Sequence, residues 1–241
     1  MLRALYSLYD RSRRPLRDRV FFILPNLKMA YGRIPGASGC AGDPILRRLN
    51  SIEFALEHGS PDFKPDPEFP YEALECVKAR DLLRTPNRLM TIAVLKHPLH
   101  RLMSCYRQHF GAEGIPSPRL EHYGLDQSTS FGGFVRRICR VPDYRADNYF
   151  RSQIDILSHR GQFVPDFVLT TDHMEEGLQG LRAIISRRTG VDMGSFERSE
   201  LENYFSISFP SHSNAEEVEF HLATRYKSDL EMFTRHAAGS A

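Results

Sequence analysis

The feature that most constrains this chain is an almost unbroken apolar run near its centre, Leu89-Met-Thr-Ile-Ala-Val-Leu95. A strand with one solvent-facing side alternates apolar and polar residues, whereas this run presents apolar side chains to both faces of a sheet. Strands of this kind occur in parallel sheets that helices cover on both sides. Pro98 follows closely and ends the strand. The run therefore predicts a central strand of an α/β fold.

Strand-like runs alternate with amphipathic segments along the chain, which favours a mainly parallel sheet flanked by helices. Further strands are predicted over Leu27 to Ile34 and Phe167 to Thr170. The remaining pattern predicts helices over residues 43–56, 71–83, 99–110 and 131–139, after Asp172, and from Ser213 onward. The chain has 241 residues, enough for one well-packed domain. We expect a basic arm over residues 1–26 and a single domain over residues 27–241.

Composition excludes several classes of protein. The net charge is only +2, which argues against a general nucleic-acid binder. The four cysteines are scattered without metal-ligand spacing, so we expect neither a disulfide framework nor a metal site. The apolar run Val20 to Leu24 is far too short to cross a bilayer, and we expect no signal peptide and no transmembrane span. Reduced thiols and the absence of an anchor favour a cytoplasmic location.

A glycine-rich turn, Gly36 to Gly42, connects the first predicted strand to a helix. Asp43 is expected to be the N-cap of that helix, with Pro44 at its first position. Backbone N–H groups of such a turn and the positive end of the helix dipole favour a bound phosphate. The alternative is a tight connection between strand and helix without a ligand.

A second candidate anion site follows the central strand. Lys96 comes directly after the strand, and Ser104 lies on the helix that begins near Pro98. Ligands of open α/β sheets bind outside the carboxyl ends of the strands. A cation and a hydroxyl placed there can hold one phosphate group. The alternative is an ordinary connection with a surface lysine and a solvated serine.

The segment from Val94 to Tyr106, Val-Leu-Lys-His-Pro-Leu-His-Arg-Leu-Met-Ser-Cys-Tyr, resembles the 3'-phosphate-binding motif of sulfotransferases. The resemblance is greatest to the carbohydrate (family 2) branch, whose pattern is roughly Val-Arg-(Asp/His)-Pro-x-x-Arg-Leu-x-Ser-x-Tyr. The residues that match are Pro98, Arg101, Leu102, Ser104 and Tyr106.

Other segments resemble the same family in the expected order. Residues 27–35 are similar to its first strand, and residues 167–175 to a later strand and turn. Residues 223–233 carry a Tyr-x-x-Asp-x-x-x-Phe pattern like that of its closing helix. Residues 149–153 are similar to a segment with a substrate-facing glutamine, Gln153 here. The resemblance spans about residues 27–235.

The resemblance implies a P-loop-like fold and transfer of a sulfuryl group from 3'-phosphoadenosine 5'-phosphosulfate to a hydroxyl, expected to be that of a carbohydrate. It implies no metal. Lys96, Arg101 and Ser104 would bind the nucleotide at its 3'-phosphate end. The turn would cradle the 5'-phosphosulfate through the following residues: Gly36, Ala37, Ser38, Gly39 and Cys40.

The chain departs from the family pattern at two positions. Relatives carry a lysine after the proline of the turn, where this chain has Gly36, so Arg33, Arg47 and Arg48 are candidates for the missing positive charge. Lys96 replaces an arginine and loses its bidentate fork. A general base must also accept the hydroxyl proton. Its candidates are His109, Glu113, His122, Asp147 and His173, and of these we expect His109.

Two other functions remain open at this point. The missing lysine is compatible with a catalytically inactive relative that binds a nucleotide or a glycan. A kinase is the third alternative, because kinases also use glycine-rich turns before helices. The chain lacks the G-x-x-x-x-G-K-[ST] motif, however, and shows no clear magnesium-binding carboxylate after a strand.

Overall fold

The computed structural model describes residues 19–37, 43–59, 74–84, 88–110, 120, 122–205 and 215–238. The strands of these residues are β1 Phe21–Leu24, β2 Met29–Gly32, β3 Cys76–Val77, β4 Met90–Leu95, β5 Ser158–His159, β6 Gln162–Phe163 and β7 Phe167–Thr170. The α-helices are α1 Pro44–His58, α2 Ala79–Leu82, α3 Pro98–Phe110, α4 Phe131–Ile138, α5 Gln153–Ile156, α6 Met174–Thr189, α7 Ala215–Arg225 and α8 Lys227–Ala238.

Five strands form the central sheet, in the order β3-β1-β2-β4-β7. Strand β4 pairs in parallel with β2 on one side and with β7 on the other. Strand β1 is antiparallel to both of its neighbours, so four of the five strands run in one direction. The predicted α/β fold with a mainly parallel sheet is confirmed.

The apolar run of the central strand faces two cores. Ile92 and Val94 belong to a cluster that α1 and α6 cover, whereas Ala93 and Leu95 belong to a cluster that α5 and α8 help to cover. Successive side chains of a strand point to opposite faces, so burial on both faces requires apolar residues at every position. The sheet is therefore a middle layer between helices.

A third apolar cluster holds α3 in place beside the sheet. Leu102 and Cys105 of α3 pack with Phe134 of α4 and with Leu222 of α7. Because α3 begins two residues after Lys96, this helical cluster positions the segment on which the second candidate anion site was predicted. No helix within the described ranges has the length and apolar character to cross a bilayer.

The sheet begins earlier in the chain than the sequence analysis expected. Residues Phe21–Leu24 fall in the expected arm, yet they pair with Gly32–Met29 as an antiparallel hairpin. The hairpin turns at residues 25–28, where Lys28 N–H donates to the Pro25 carbonyl over 3.0 Å. Pro25 and Asn26 interrupt a longer apolar stretch, which is a turn signal that the strand prediction overlooked. The boundary at residue 27 was therefore wrong for the sheet.

Three helix predictions also need correction. Within residues 71–83, Cys76–Val77 form a strand and only Ala79–Leu82 are helical, while residues 71–73 lie outside the described part. Asp172 lies in a 3-10 turn and does not cap α6, which begins at Met174 without a side-chain cap. The last predicted helix is two helices, α7 and α8, separated at Tyr226.

Candidate functional site

Three strand ends meet at one edge of the sheet. The register pairs Gly32 of β2 with Ala93 of β4, and Leu95 of β4 with Thr170 of β7. Because these strands are parallel, the turn after β2, Lys96 after β4 and the turn after β7 all lie at the carboxyl edge. This edge is the general ligand-binding location of open α/β sheets.

The structure brings together the two residues of the second predicted anion site. The Lys96 side chain is fully buried, and its Nζ donates a hydrogen bond of 2.9 Å to Ser104 Oγ. Ser104 Oγ in turn donates to the His100 carbonyl, one helical turn earlier, over 3.0 Å. An ammonium and a hydroxyl so close together can bind the same phosphate group by charge and by directed hydrogen bonds.

Gln153 holds the backbone on which Lys96 is placed. Its Oε1 accepts from Lys96 N over 3.1 Å, and its Nε2 donates to Lys96 O over 2.7 Å. Both polar atoms of the Gln153 side chain are thus bonded to the Lys96 backbone, so the amide does not face a substrate as the resemblance implied. Asp229 of α8 in turn accepts from the N–H groups of Gln153 and Ile154 over 2.7 and 2.9 Å. The Tyr-x-x-Asp-x-x-x-Phe pattern was the sequence signal for this contact, but it gave no indication of the partner.

Arg101 has a structural role and is not presented to a ligand. Its side chain is buried and donates to three backbone carbonyls, namely those of Pro35, Arg151 and Asn148, over 3.0, 2.5 and 2.5 Å. These contacts join the turn after β2 to the segment before α5. The expectation that Arg101 binds the nucleotide is corrected, since its guanidinium is engaged by the backbone.

The described part of the glycine-rich turn is a type II β-turn. Ala37 N–H donates to the Ile34 carbonyl over 2.9 Å, Pro35 occupies the second position, and Gly36 has a φ of 79° at the third. The Ala37 N–H is therefore already used within the turn, contrary to the expectation that it binds the donor. Residues 38–42, which include the predicted contacts Ser38, Gly39 and Cys40, lie outside the described residues.

The amino end of α1 is occupied by the protein's own carboxylate. Asp43 Oδ1 accepts from Ile45 N and Leu46 N, each over 3.0 Å, as the predicted N-cap. Tyr31 and Tyr204 donate hydroxyl hydrogen bonds to the same buried carboxylate. Because Pro44 has no N–H, the carboxylate satisfies the first-turn donors that a phosphate would otherwise use.

Among the described residues, three polar atoms at the carboxyl edge are buried without a hydrogen-bond partner. They are Arg33 Nε after β2, His97 Nδ1 after β4 and Thr170 Oγ1 at the end of β7. Buried polar groups are nearly always hydrogen-bonded, and an unsatisfied one costs roughly 1–3 kcal/mol. Their position at adjacent strand ends makes this edge a candidate site for a polar ligand. Arg33, a candidate for the missing positive charge, thus lies beside the turn at this edge.

His109 lies away from this edge. It is five residues beyond Ser104, and at 100° per residue the two side chains point about 140° apart around α3. The ring is buried edge-on against Tyr149, with centroids 5.0 Å apart, and within the described part of the chain neither ring nitrogen has a hydrogen-bond partner. This geometry does not support His109 as the base acting beside Ser104.

Two other histidines do lie at the edge. His97 and His100 have ring centroids 5.3 Å apart, and the His97 ring packs edge-on against Phe233. Desolvation lowers the pKa of both rings below the usual value, and the neighbouring Asp172 opposes the shift in both cases. Burial therefore favours the neutral form of both imidazoles. No group of three metal-ligating side chains occurs among the residues that the structure describes.

No curated protein and no solved structure matches the chain. The model of the Sulfotransferase family, in contrast, matches residues 19–234, from the residues before β1 into α8. The matched region includes the sheet, Lys96, Ser104, Gln153 and Asp229. The chain belongs to the sulfotransferase family.

Proposed function

We propose that this protein transfers a sulfuryl group from 3'-phosphoadenosine 5'-phosphosulfate to a hydroxyl, and that the acceptor is a carbohydrate. The observation that carries the donor assignment is the hydrogen bond of 2.9 Å between Lys96 Nζ and Ser104 Oγ at the carboxyl edge of the sheet. The pair supplies one positive charge and one hydroxyl for the 3'-phosphate. The carbohydrate acceptor rests on the resemblance to the family 2 branch.

In this reaction the acceptor oxygen forms a bond to sulfur while the bond between sulfur and the bridging phosphate oxygen breaks. The hydroxyl proton passes to a base, and the products are a sulfate ester and adenosine 3',5'-bisphosphate. The protein's task is to align donor and acceptor and to stabilise the charge on the leaving oxygen. Lys96 and Ser104 contribute by fixing the nucleotide at its 3' end.

Calorimetric titration of the purified protein with adenosine 3',5'-bisphosphate tests the donor site. We expect binding that exceeds that of adenosine 5'-phosphate, because only the former carries the 3'-phosphate. The variants Lys96→Ala and Ser104→Ala should each weaken bisphosphate binding by about 10- to 100-fold, the usual effect of removing a hydrogen bond to a charged group. They should leave adenosine 5'-phosphate binding nearly unchanged.

Lys227→Ala is the matched control, because that lysine is exposed on α8 and pairs only with Glu231 within the described part of the chain. It should bind both nucleotides like the wild type. Equal affinity of the wild type for the two nucleotides would overturn the assignment of Lys96 and Ser104 to a 3'-phosphate.

A second function is supported by the turn and by the capped helix. Gly36 supplies no charge at the position where relatives have a lysine, and Asp43 occupies the amino end of α1. These features suit a protein that binds the nucleotide without transferring its sulfuryl group. Incubation with 35S-labelled donor and a panel of glycans distinguishes the two. Labelled glycan supports transfer, whereas tight nucleotide binding without any labelled product favours the inactive relative.

A further inference from the structure

Four polar groups form a continuous chain of hydrogen bonds from α8 to the candidate donor site. Asp229 accepts from the Gln153 backbone, Gln153 clamps the Lys96 backbone on both sides, and Lys96 reaches Ser104. Asp229, Gln153 and Lys96 are all fully buried. We propose that Gln153, itself held by Asp229, is a positioning residue that sets Lys96 for the 3'-phosphate, a role that rests on the proposed function.

The side-chain amide of Gln153 is complementary to the backbone of Lys96, because each donor of one group faces an acceptor of the other. Its oxygen meets the Lys96 N–H and its nitrogen meets the Lys96 carbonyl, so the side chain takes the place of a neighbouring strand just after β4 ends. Asparagine is one methylene shorter, and a glutamic acid side chain offers both a donor and an acceptor only when it is protonated. The clamp determines where the Lys96 side chain leaves the strand, and thus its approach to Ser104.

Asp229 fixes Gln153 in turn. Helix α5 is a single turn, and its first N–H groups need partners. Asp229 Oδ2 accepts from Gln153 N and Oδ1 from Ile154 N, so both carboxylate oxygens are directed at this helix start. The carboxylate comes from a helix 76 residues further along the chain, and it ties the position of Gln153 to the packing of α8.

Tyr226, the residue directly before α8, provides a matched control. Its hydroxyl is also buried and donates to the Phe150 carbonyl three residues before Gln153. Tyr226→Phe therefore removes a buried hydrogen bond between the start of α8 and the segment before α5 without touching the Lys96 clamp. Gln153→Met removes both clamp bonds at similar volume, and Asp229→Asn leaves one acceptor for two N–H groups.

The first measurement is the NMR resonance of 15Nζ of Lys96 in lysine-labelled protein, and it needs no nucleotide. We expect this resonance to shift in Gln153→Met and Asp229→Asn and to stay in place in Tyr226→Phe. An unchanged Lys96 resonance in all three variants would overturn the positioning role. Should Gln153→Met fail to fold, the comparison of Asp229→Asn with Tyr226→Phe decides the question.

The second measurement is the ratio of affinities for adenosine 3',5'-bisphosphate and adenosine 5'-phosphate. Gln153→Met should reduce this ratio by about tenfold, as expected for a displaced charged hydrogen-bond donor, whereas Tyr226→Phe should lower the unfolding temperature and leave the ratio unchanged. A wild type without preference for the bisphosphate would refute the nucleotide assignment alone. If Lys96→Ala abolishes the preference for the bisphosphate and Gln153→Met retains it, the positioning role of Gln153 is refuted and the nucleotide assignment stands.

Discussion

Arg101 matches a residue of the binding motif, yet its side chain forms hydrogen bonds with backbone carbonyls of this protein. A guanidinium has five N–H donors in a planar fork, which suits three carbonyls arriving from different segments. Desolvation lowers the pKa of Arg101, and the charge of Asp229 opposes this shift. Arg101 donates to the Pro35 carbonyl and therefore positions the turn after β2 beside the candidate donor site.

The variant Arg101→Lys should lower the free energy of unfolding by about 2–4 kcal/mol. A lysine keeps the charge but cannot reach all three carbonyls, and each buried carbonyl left without a donor costs roughly 1–3 kcal/mol. Urea denaturation of the purified protein measures this loss. Arg107→Lys on the exposed side of the same helix is the control and should change stability by less than about 0.5 kcal/mol. Equal effects of the two substitutions on stability would contradict a stabilising role of the three hydrogen bonds from Arg101 to backbone carbonyls.

The backbone conformation of the turn between β2 and α1 explains why this chain has Gly36 at the position where relatives have a lysine. A type II turn requires a positive φ at its third position, where glycine has no steric penalty and other residues do. Gly36 occupies that position with a φ of 79°. The turn of this chain therefore disfavours the lysine that relatives carry, and the difference is one of backbone conformation as well as of charge.

Both Gly36→Ala and Gly36→Lys should reduce the free energy of unfolding by about 1–2 kcal/mol, because the left-handed conformation disfavours a Cβ atom. Gly132→Ala in α4 is the matched control. An added Cβ there meets no atom within 4 Å, so the better helix former should raise stability by about 0.5–1 kcal/mol. Thermal unfolding of the three variants checks both signs. Unchanged stability in Gly36→Lys would show that the turn adopts another conformation in that variant.

Helix α8 acts on the scale of the whole molecule, because it joins the central strand to the segment before α5. Phe233 packs on His97 and Asp229 holds the start of α5, while Tyr226, directly before α8, donates to the Phe150 carbonyl. Burial raises the pKa of Asp229 from 3.8 to about 6, although two backbone N–H groups and Arg101 favour its charged form. Holding the start of α5 in this way requires a charged carboxylate to be buried at neutral pH, which is unfavourable.

The contribution of Asp229 to stability should consequently fall as pH rises from about 4 to about 6. The folded state holds the Asp229 proton more tightly than the unfolded state does, so folding is favoured below the unfolded pKa and loses this contribution through the folded pKa. The difference between the two pKa values corresponds to roughly 3 kcal/mol. Asp143 contributes with the opposite sign, because its pKa is lowered, chiefly by Arg225 acting against desolvation.

The difference in unfolding free energy between wild type and Asp229→Asn isolates this contribution, since Asn does not titrate. From pH 4 to pH 7 the wild type should lose stability relative to the variant. Carbon NMR of the Asp229 carboxyl should show a midpoint near 6. A midpoint near 4, or parallel pH profiles of the two proteins, would contradict the raised pKa.

Local patterns determined the parts of the molecule whose partners are close in sequence. The apolar run predicted β4. The positions of Lys96 after that strand and of Ser104 on the next helix suggested a shared site, and the resemblance to the sulfotransferase motif favoured it over a surface lysine and a solvated serine. Asp43 was predicted as the cap of α1, because a cap bonds to N–H groups two and three residues ahead. Contacts of this range depend on the geometry of a single turn or helix.

Tertiary structure alone decided which of the motif residues form the candidate site and which have a supporting role. Gln153 lies 57 residues from Lys96 and 76 residues from Asp229, and no periodicity connects such positions. The same applies to Arg101, whose partners Pro35 and Arg151 are 66 and 50 residues away. The sequence by itself therefore determined the fold class, and with the family resemblance it predicted the Lys96–Ser104 pair. The packing of α3, α5 and α8 determined what holds that pair in place, because hydrogen bonds between distant segments exist only once the apolar cores have brought those segments together.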